Sequence, residues 1–222
     1  MDHDGQNVLT PNQELVTLDA AHASKRFLSR TFKCDENIDA WLNAFVLGKK
    51  SIVQVIENSH VFTAWFKGAV ASLGKDDAIA GDVFNLGMAK HRFISIKKRL
   101  GRLIGKYLAV FSVAEKIRVA RPGKPEGEVA VRFLQDFGPE QFLQLAMLAD
   151  AADESYVYTM FADDEEMDLA LQADEVAVFL DHVRYLFNEG ACFSVEGHTK
   201  FAIQQLKKVR ILNIGKDPTA QQ

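Results

Sequence analysis

The chain has only two cysteines, Cys34 and Cys192, and no C-x-x-C spacing, which excludes a disulfide framework and a cysteine-based zinc site. Each is read as a small buried apolar residue. No apolar run approaches the ~20 residues that a membrane-spanning helix needs. The opening MDHDGQNVLTPNQ has neither the basic nor the apolar region of a signal peptide, so a soluble, cytoplasmic protein without a membrane span is expected. No strand-like alternation of any length occurs, and the expected fold is therefore all-α. Catalytic signatures are missing as well: there is no Walker-type glycine loop, no G-x-S-x-G, no H-E-x-x-H and no dinucleotide fingerprint. Neither an enzyme nor a cofactor is expected. The six histidines lack ligand-like spacing, and His60 and His182 are read as core or boundary residues. The acidic run from Asp163 to Asp168 lacks the turn-forming glycine of a calcium loop and is read as a solvated face, so no metal site is expected.

What the chain does have is charge divided along its length. From Lys90 to Lys124 there are eleven lysines and arginines against one acid, Glu115, although the whole protein carries a net charge of −4. Concentrating like charge costs self-repulsion that a binding event offsets, which points to a polyanionic partner. On a helical wheel Ile96, Leu100, Leu103, Ile104, Tyr107, Leu108 and Phe111 share one arc, as in a helix packed on a core. Arg92, Lys98, Arg99, Arg102 and Lys106 lie opposite. Gly101 and Gly105, between the two arcs, allow close approach by a phosphate chain or by another helix.

The remaining segments frame this stretch. Residues 1–22 read as an extended arm whose Val8, Leu9, Leu15, Val16 and Leu18 suit docking. A smaller basic amphipathic piece follows, with Lys25, Arg26, Arg30 and Lys33 among Phe27, Leu28 and Phe32. Asp35 or Asn37 opens a helix through Leu47 with Gly48 as its C-cap. Residues 51–67 read as helical with a break near Asn58 and Ser59, and Asp76–Asp77 caps a helix over 78–88. Residues 120–128, with two prolines and two glycines, read as a loop dividing an N-terminal lobe (23–119) from a C-terminal lobe (129–212). In the second lobe Gly138–Pro139 restarts a helix, and Val176, Phe179, Leu180, Val183 and Phe187 space like a core helix ended at Gly190. A last helix carries Phe201, Leu206, Val209 and Leu212, and residues 213–222 form a tail.

The runs GKKSIVQVIENSHVF (Gly48 to Phe62) and KKRLGRLIGKYL (Lys97 to Leu108) resemble stretches of the nucleoproteins of segmented negative-strand RNA viruses, of the tospovirus and orthobunyavirus kind. The resemblance covers about a quarter of the chain. It implies a helical, two-lobed protein that coats single-stranded RNA in a basic cleft and assembles into homo-oligomers through terminal arms, in the cytoplasm or the virion. On the residues, the expected nucleic-acid contacts are Lys90, Arg92, Lys97, Lys98, Arg99, Arg102, Lys106, Arg118, Arg121 and Lys124, with Lys25, Arg26 and Arg30 beside them. Phe93 and Tyr107 are candidates for stacking on bases. Two further classes are compatible with the charge pattern: a helical adaptor whose basic helix binds an acidic protein partner, and a peripheral protein using that helix on anionic lipid. Deleting residues 1–20 is expected to leave a folded, mainly monomeric protein that binds short oligonucleotides but loses cooperative binding to long RNA. Light scattering with and without RNA checks this, and identical masses for both proteins count against assembly through the arm.

Overall fold

The computed structural model describes residues 30, 32–33, 35–73, 86, 94–162 and 171–214, except the side chains of 94, 95, 162, 172 and 207–214. Over these residues the protein is all-α, with no strand among them. The N-terminal arm, the helix expected over 78–88, the acidic run 163–168 and Cys34 lie outside them.

Helix α1 (Glu36–Leu42) begins where the Asp35 carboxylate accepts from the backbone N–H groups of Asn37 (2.8 Å) and Ile38 (3.1 Å). It runs on as a π turn, Asn43–Leu47. Gly48 is the C-cap, as expected, but in an extended conformation with φ −70° rather than a left-handed one. Its smallness serves a close approach: a Cβ there would collide with the Asn43 carbonyl oxygen, which accepts from the Gly48 N–H. Ser51 and Ser59 then cap α2 (Ile52–Glu57) and α3 (His60–Ser72), so the chain breaks at Asn58–Ser59 as its two capping serines dictate.

The single amphipathic helix expected through Ile96–Phe111 is two helices, α4 (Ile94–Gly105) and α5 (Tyr107–Ala120), separated at Lys106 with φ −118° and ψ 21°. The apolar arc is nevertheless buried across the break, from Leu100 through Leu103, Ile104 and Tyr107 to Phe111. The loop expected over 120–128 is shorter than its composition suggests. α5 continues to Ala120, Gly123 turns the chain with φ 67°, and Pro125 opens α6 (Pro125–Asp136), a position where its missing N–H costs nothing. Gly127, in the first turn of α6, lies against the Arg121 carbonyl oxygen so closely that a Cβ would collide with it. Ile117 on one side of the turn and Ala130, Phe133 and Leu134 on the other belong to one continuous core.

Helix α7 (Pro139–Ala162) is the longest described element, spanning about 36 Å at 1.5 Å per residue. It packs against α4, against α8 (Gln172–Val183) and against α9 (His198–Ile214). The last helix thus continues past residue 212 into the segment expected to be a tail. The core is aromatic: Phe133 lies 5.9 Å from Phe45, 5.0 Å from Phe111 and 5.0 Å from Phe137, joining the π turn, α5 and α6. Each such ring contributes roughly 2–3 kcal/mol of burial. α8 departs from the expectation of a core helix. No described side chain on it is fully buried, and Leu180 is 42% exposed.

Candidate nucleic-acid interface

The expected nucleic-acid residues divide into three groups. Lys25, Arg26, Lys90 and Arg92 lie outside the described residues, as do Phe93 and His91. Arg30, Lys98, Arg118, Arg121 and Lys124 are exposed. Arg99, Lys106, Lys97 and Arg102 are drawn wholly or partly into the protein itself. Arg99 is 1% exposed, its Nη1 donating to the Val46 carbonyl (3.0 Å) and its Nη2 to Glu57 Oε2 (2.9 Å). It cannot contact a phosphate from there. The end of a helix leaves carbonyls without intrahelical partners, and the π turn's Val46 oxygen is satisfied by Arg99 together with the Ser51 hydroxyl (3.1 Å). Burial raises the Glu57 carboxyl above its ordinary range, an effect opposed by Arg99 and then by Arg102. Burial likewise lowers the Arg99 guanidinium, and Glu57 opposes that shift. Arg102, half-buried beside this pair, belongs partly to the same charge balance. Lys106 is 6% exposed at the α4–α5 break. Tyr107 is also buried, its ring centroid 4.7 Å from that of Phe142, and does not offer a face for a base.

Lys97 points toward α7, where its Nζ sits 3.3 Å from Asp153 Oδ1 and 4.4 Å from the centroid of Tyr156. His198, on α9, places Nε2 3.5 Å from Asp153 Oδ2 and lays its ring on Gly101, where a Cβ would come within 3.0 Å. The small residue in α4 therefore admits a side chain of another helix. Burial alone would raise the Asp153 carboxyl, but His198 and Lys97 outweigh it and hold it below its ordinary value of 3.8. A group depressed on folding contributes stability above its unfolded pKa and loses that contribution as pH falls through its folded one. Asp153→Asn is accordingly expected to lower stability by a constant amount above about pH 5 and by progressively less below about pH 4. Urea denaturation of both proteins across that range checks the sign. A gap that widens on acidification contradicts it.

Three exposed basic residues outside the expected set, Lys49, Lys50 and Arg132, line a groove that the sequence did not reveal. The groove, of about 410 Å³, lies between the π turn, the start of α2 and α6, with Phe45, Ala44, Val55 and Val129 among its apolar lining. Lys49, Lys50 and Arg132 line it together with Glu126 and Glu128, which share α6 with Arg132. Lys124 immediately precedes Pro125, which also lines it, and Arg121 opens the turn before them. Among the described residues, Lys49, Lys50, Lys98, Arg121 and Lys124 hold no acidic partner, whereas Arg118 pairs with Glu115 (2.8 Å) and Arg132 with Asp136 (3.6 Å). Lys49 and Lys50 lie far from the basic stretch in sequence, and the doublet alone carried no signal beyond surface charge. His60 and His182, expected at the core or its boundary, are exposed, and His182 Nδ1 sits 3.0 Å from Glu154. Cys192 is a buried free thiol, and burial raises its pKa. Among the described residues no group of His, Cys, Asp and Glu is arranged to hold a metal ion, and no helix is long and apolar enough to cross a membrane.

Comparison of the chain with protein-family models, curated proteins and solved structures returns no match.

Proposed function

We propose that this protein binds single-stranded nucleic acid without catalysing a reaction on it, through a basic rim formed by Lys49, Lys50, Arg121, Lys124 and Arg132 rather than through the solvent face of one helix. The observation that carries the reading is that Lys49, Lys50, Arg121 and Lys124 are exposed without acidic partners among the described residues, and that Lys49 and Lys50 line a groove with Ala44, Phe45, Val55 and Val129 in its walls. Cations of this kind neutralise phosphates without reading sequence, and apolar walls accommodate the faces of unpaired bases. Lys49 and Lys50, outside α6, meet the phosphates; Glu126 and Glu128 line the groove from α6, the helix that also carries Arg132, and oppose phosphate there. They also sit in the first turn of α6, where the helix dipole favours acids. RNA as the natural ligand, and assembly of copies along it, rest on the resemblance of Gly48–Phe62 and Lys97–Leu108 to viral nucleoproteins.

The test is the quadruple variant Lys49→Ala, Lys50→Ala, Arg121→Ala and Lys124→Ala. Each lost phosphate contact is expected to lower the slope of log affinity against log salt by roughly 0.7 for a single strand. All four side chains are exposed, so the variant is expected to fold with wild-type stability. Fluorescence anisotropy with a labelled oligonucleotide at several salt concentrations measures both quantities. Unchanged affinity and slope would remove this surface from consideration and favour the adaptor reading.

A further inference from the structure

We propose that the outer face of α8 is a docking surface for a second copy of this chain, which presents to it the basic end of α5 and the turn 121–124. Leu171 at the N-cap of α8, Val178 within it and Tyr185 in the π turn that continues it (Arg184–Asn188) stand seven residues apart and are 49%, 57% and 46% exposed. Asp174 and Asp181 occupy the positions between them and are exposed too. The result is a mixed patch, apolar and acidic in alternation, which is covered when a partner offers apolar and basic groups in the same order. The acids decide what kind of partner. Two α8 helices packed on one another about a two-fold axis would bring the aspartates of both copies together, a like-charge juxtaposition that disfavours self-pairing of the face. The Asp181 pair with Arg184 (3.0 Å) is exposed on both sides and offsets little of that charge. The face therefore suits an occupant that is basic with an apolar centre.

The same chain carries such a surface elsewhere. Val119, at the end of α5, is 68% exposed, and Lys116, Arg121 and Lys124 around it are exposed without an acidic partner among the described residues. The end of α5 rests on α6 while α8 rests on α7, so the two surfaces belong to different parts of the fold. Contact between unlike surfaces of identical chains is heterologous, and it propagates into rings or open chains rather than stopping at a dimer. The inference does not depend on nucleic-acid binding. Because Arg121 and Lys124 also belong to the proposed phosphate track, a polyanion competes with the acidic seam for them.

Two charge-reversed proteins test this after nuclease treatment and a high-salt wash: Asp174→Lys with Asp181→Lys, and Lys116→Glu with Arg121→Glu. Light scattering of the wild type is expected to show mass rising with concentration at low salt, and each variant alone is expected to associate on the order of tenfold more weakly or less. An equimolar mixture of the two is expected to recover association, because each reversed face then meets its complement. The neutral pair Asp174→Asn and Asp181→Asn, which retains side-chain shape, is expected to fall between wild type and the lysine variant. A wild type that stays monomeric to about 100 µM at low salt overturns the proposal, since a contact that weak would not assemble the chain. Variants that associate like the wild type, or a mixture that stays monomeric, overturn it equally. The Asp174/Asp181 variants leave the groove untouched, so their oligonucleotide affinity reports separately on the nucleic-acid reading.

Discussion

Replacing Arg99 with alanine is expected to destabilise the protein by about 3–5 kcal/mol, the cost of leaving one member of a buried ion pair behind. Glu57 would keep its carboxylate in a site whose burial already works against the charged form. The Val46 carbonyl would lose its guanidinium donor, and the space of a fully buried side chain would open between α4 and the π turn. The neighbouring Lys98→Ala, on the exposed side of the same helix, is expected to cost less than about 0.5 kcal/mol. The double variant Arg99→Met with Glu57→Gln is expected to recover part of the loss, because no uncompensated charge then remains buried. The geometry supports that recovery: Arg99 Nε and Glu57 Oε1 are buried without hydrogen-bond partners, so the pair is not fully satisfied even in the native protein. Urea denaturation of the three proteins measures the effect. Arg99→Ala as stable as Lys98→Ala would mean that Arg99 is solvated.

Asp150→Ala is expected to lower stability by about 2–4 kcal/mol, the cost of losing a helix cap made of two hydrogen bonds to a charged acceptor. Asp150 projects from α7 and receives the first backbone N–H groups of α9 on its two oxygens, His198 at 2.8 Å and Thr199 at 2.9 Å. The cap thus comes from another helix, and it fixes where α9 begins relative to α7. Gly197 belongs to the same device: a Cβ there would come 2.9 Å from Asp150 Oδ1 and push the carboxylate off its donors. Asp150→Asn keeps one acceptor and turns a donor toward the second N–H, so an intermediate loss is expected. Hydrogen exchange at His198 and Thr199 is the local readout, and both amides are expected to exchange faster in the alanine variant. Unaltered protection at these two positions would show that the helix end finds other partners.

Helix boundaries were legible in the sequence wherever one residue type dictated them. Asp35, Ser51, Ser59 and Pro139 open helices where their chemistry places them, and the break at Asn58–Ser59 follows from the second serine. The apolar arc from Leu100 to Phe111 was equally legible, because a period of 3.6 is a property of the chain itself. Proline and glycine misled at 120–128, since a proline at a first helical position opens a helix as readily as it ends one.

What the sequence by itself determined is the all-α class, the starts of α1, α2, α3 and α7, and the segregation of basic from acidic charge, all set within a few turns of the chain. The tertiary structure alone decided which charges meet water. Arg99 and Lys98 are adjacent and both basic, yet one is buried because Glu57 and Val46, 42 and 53 positions away, supply its partners, while the other faces solvent. The same distinction left α8, spaced like a core helix, resting on α7 with its outer face in water. Periodicity fixes which residues share a face, but how many of a helix's faces are covered depends on elements distant in the chain, and so does the role of every charge on them.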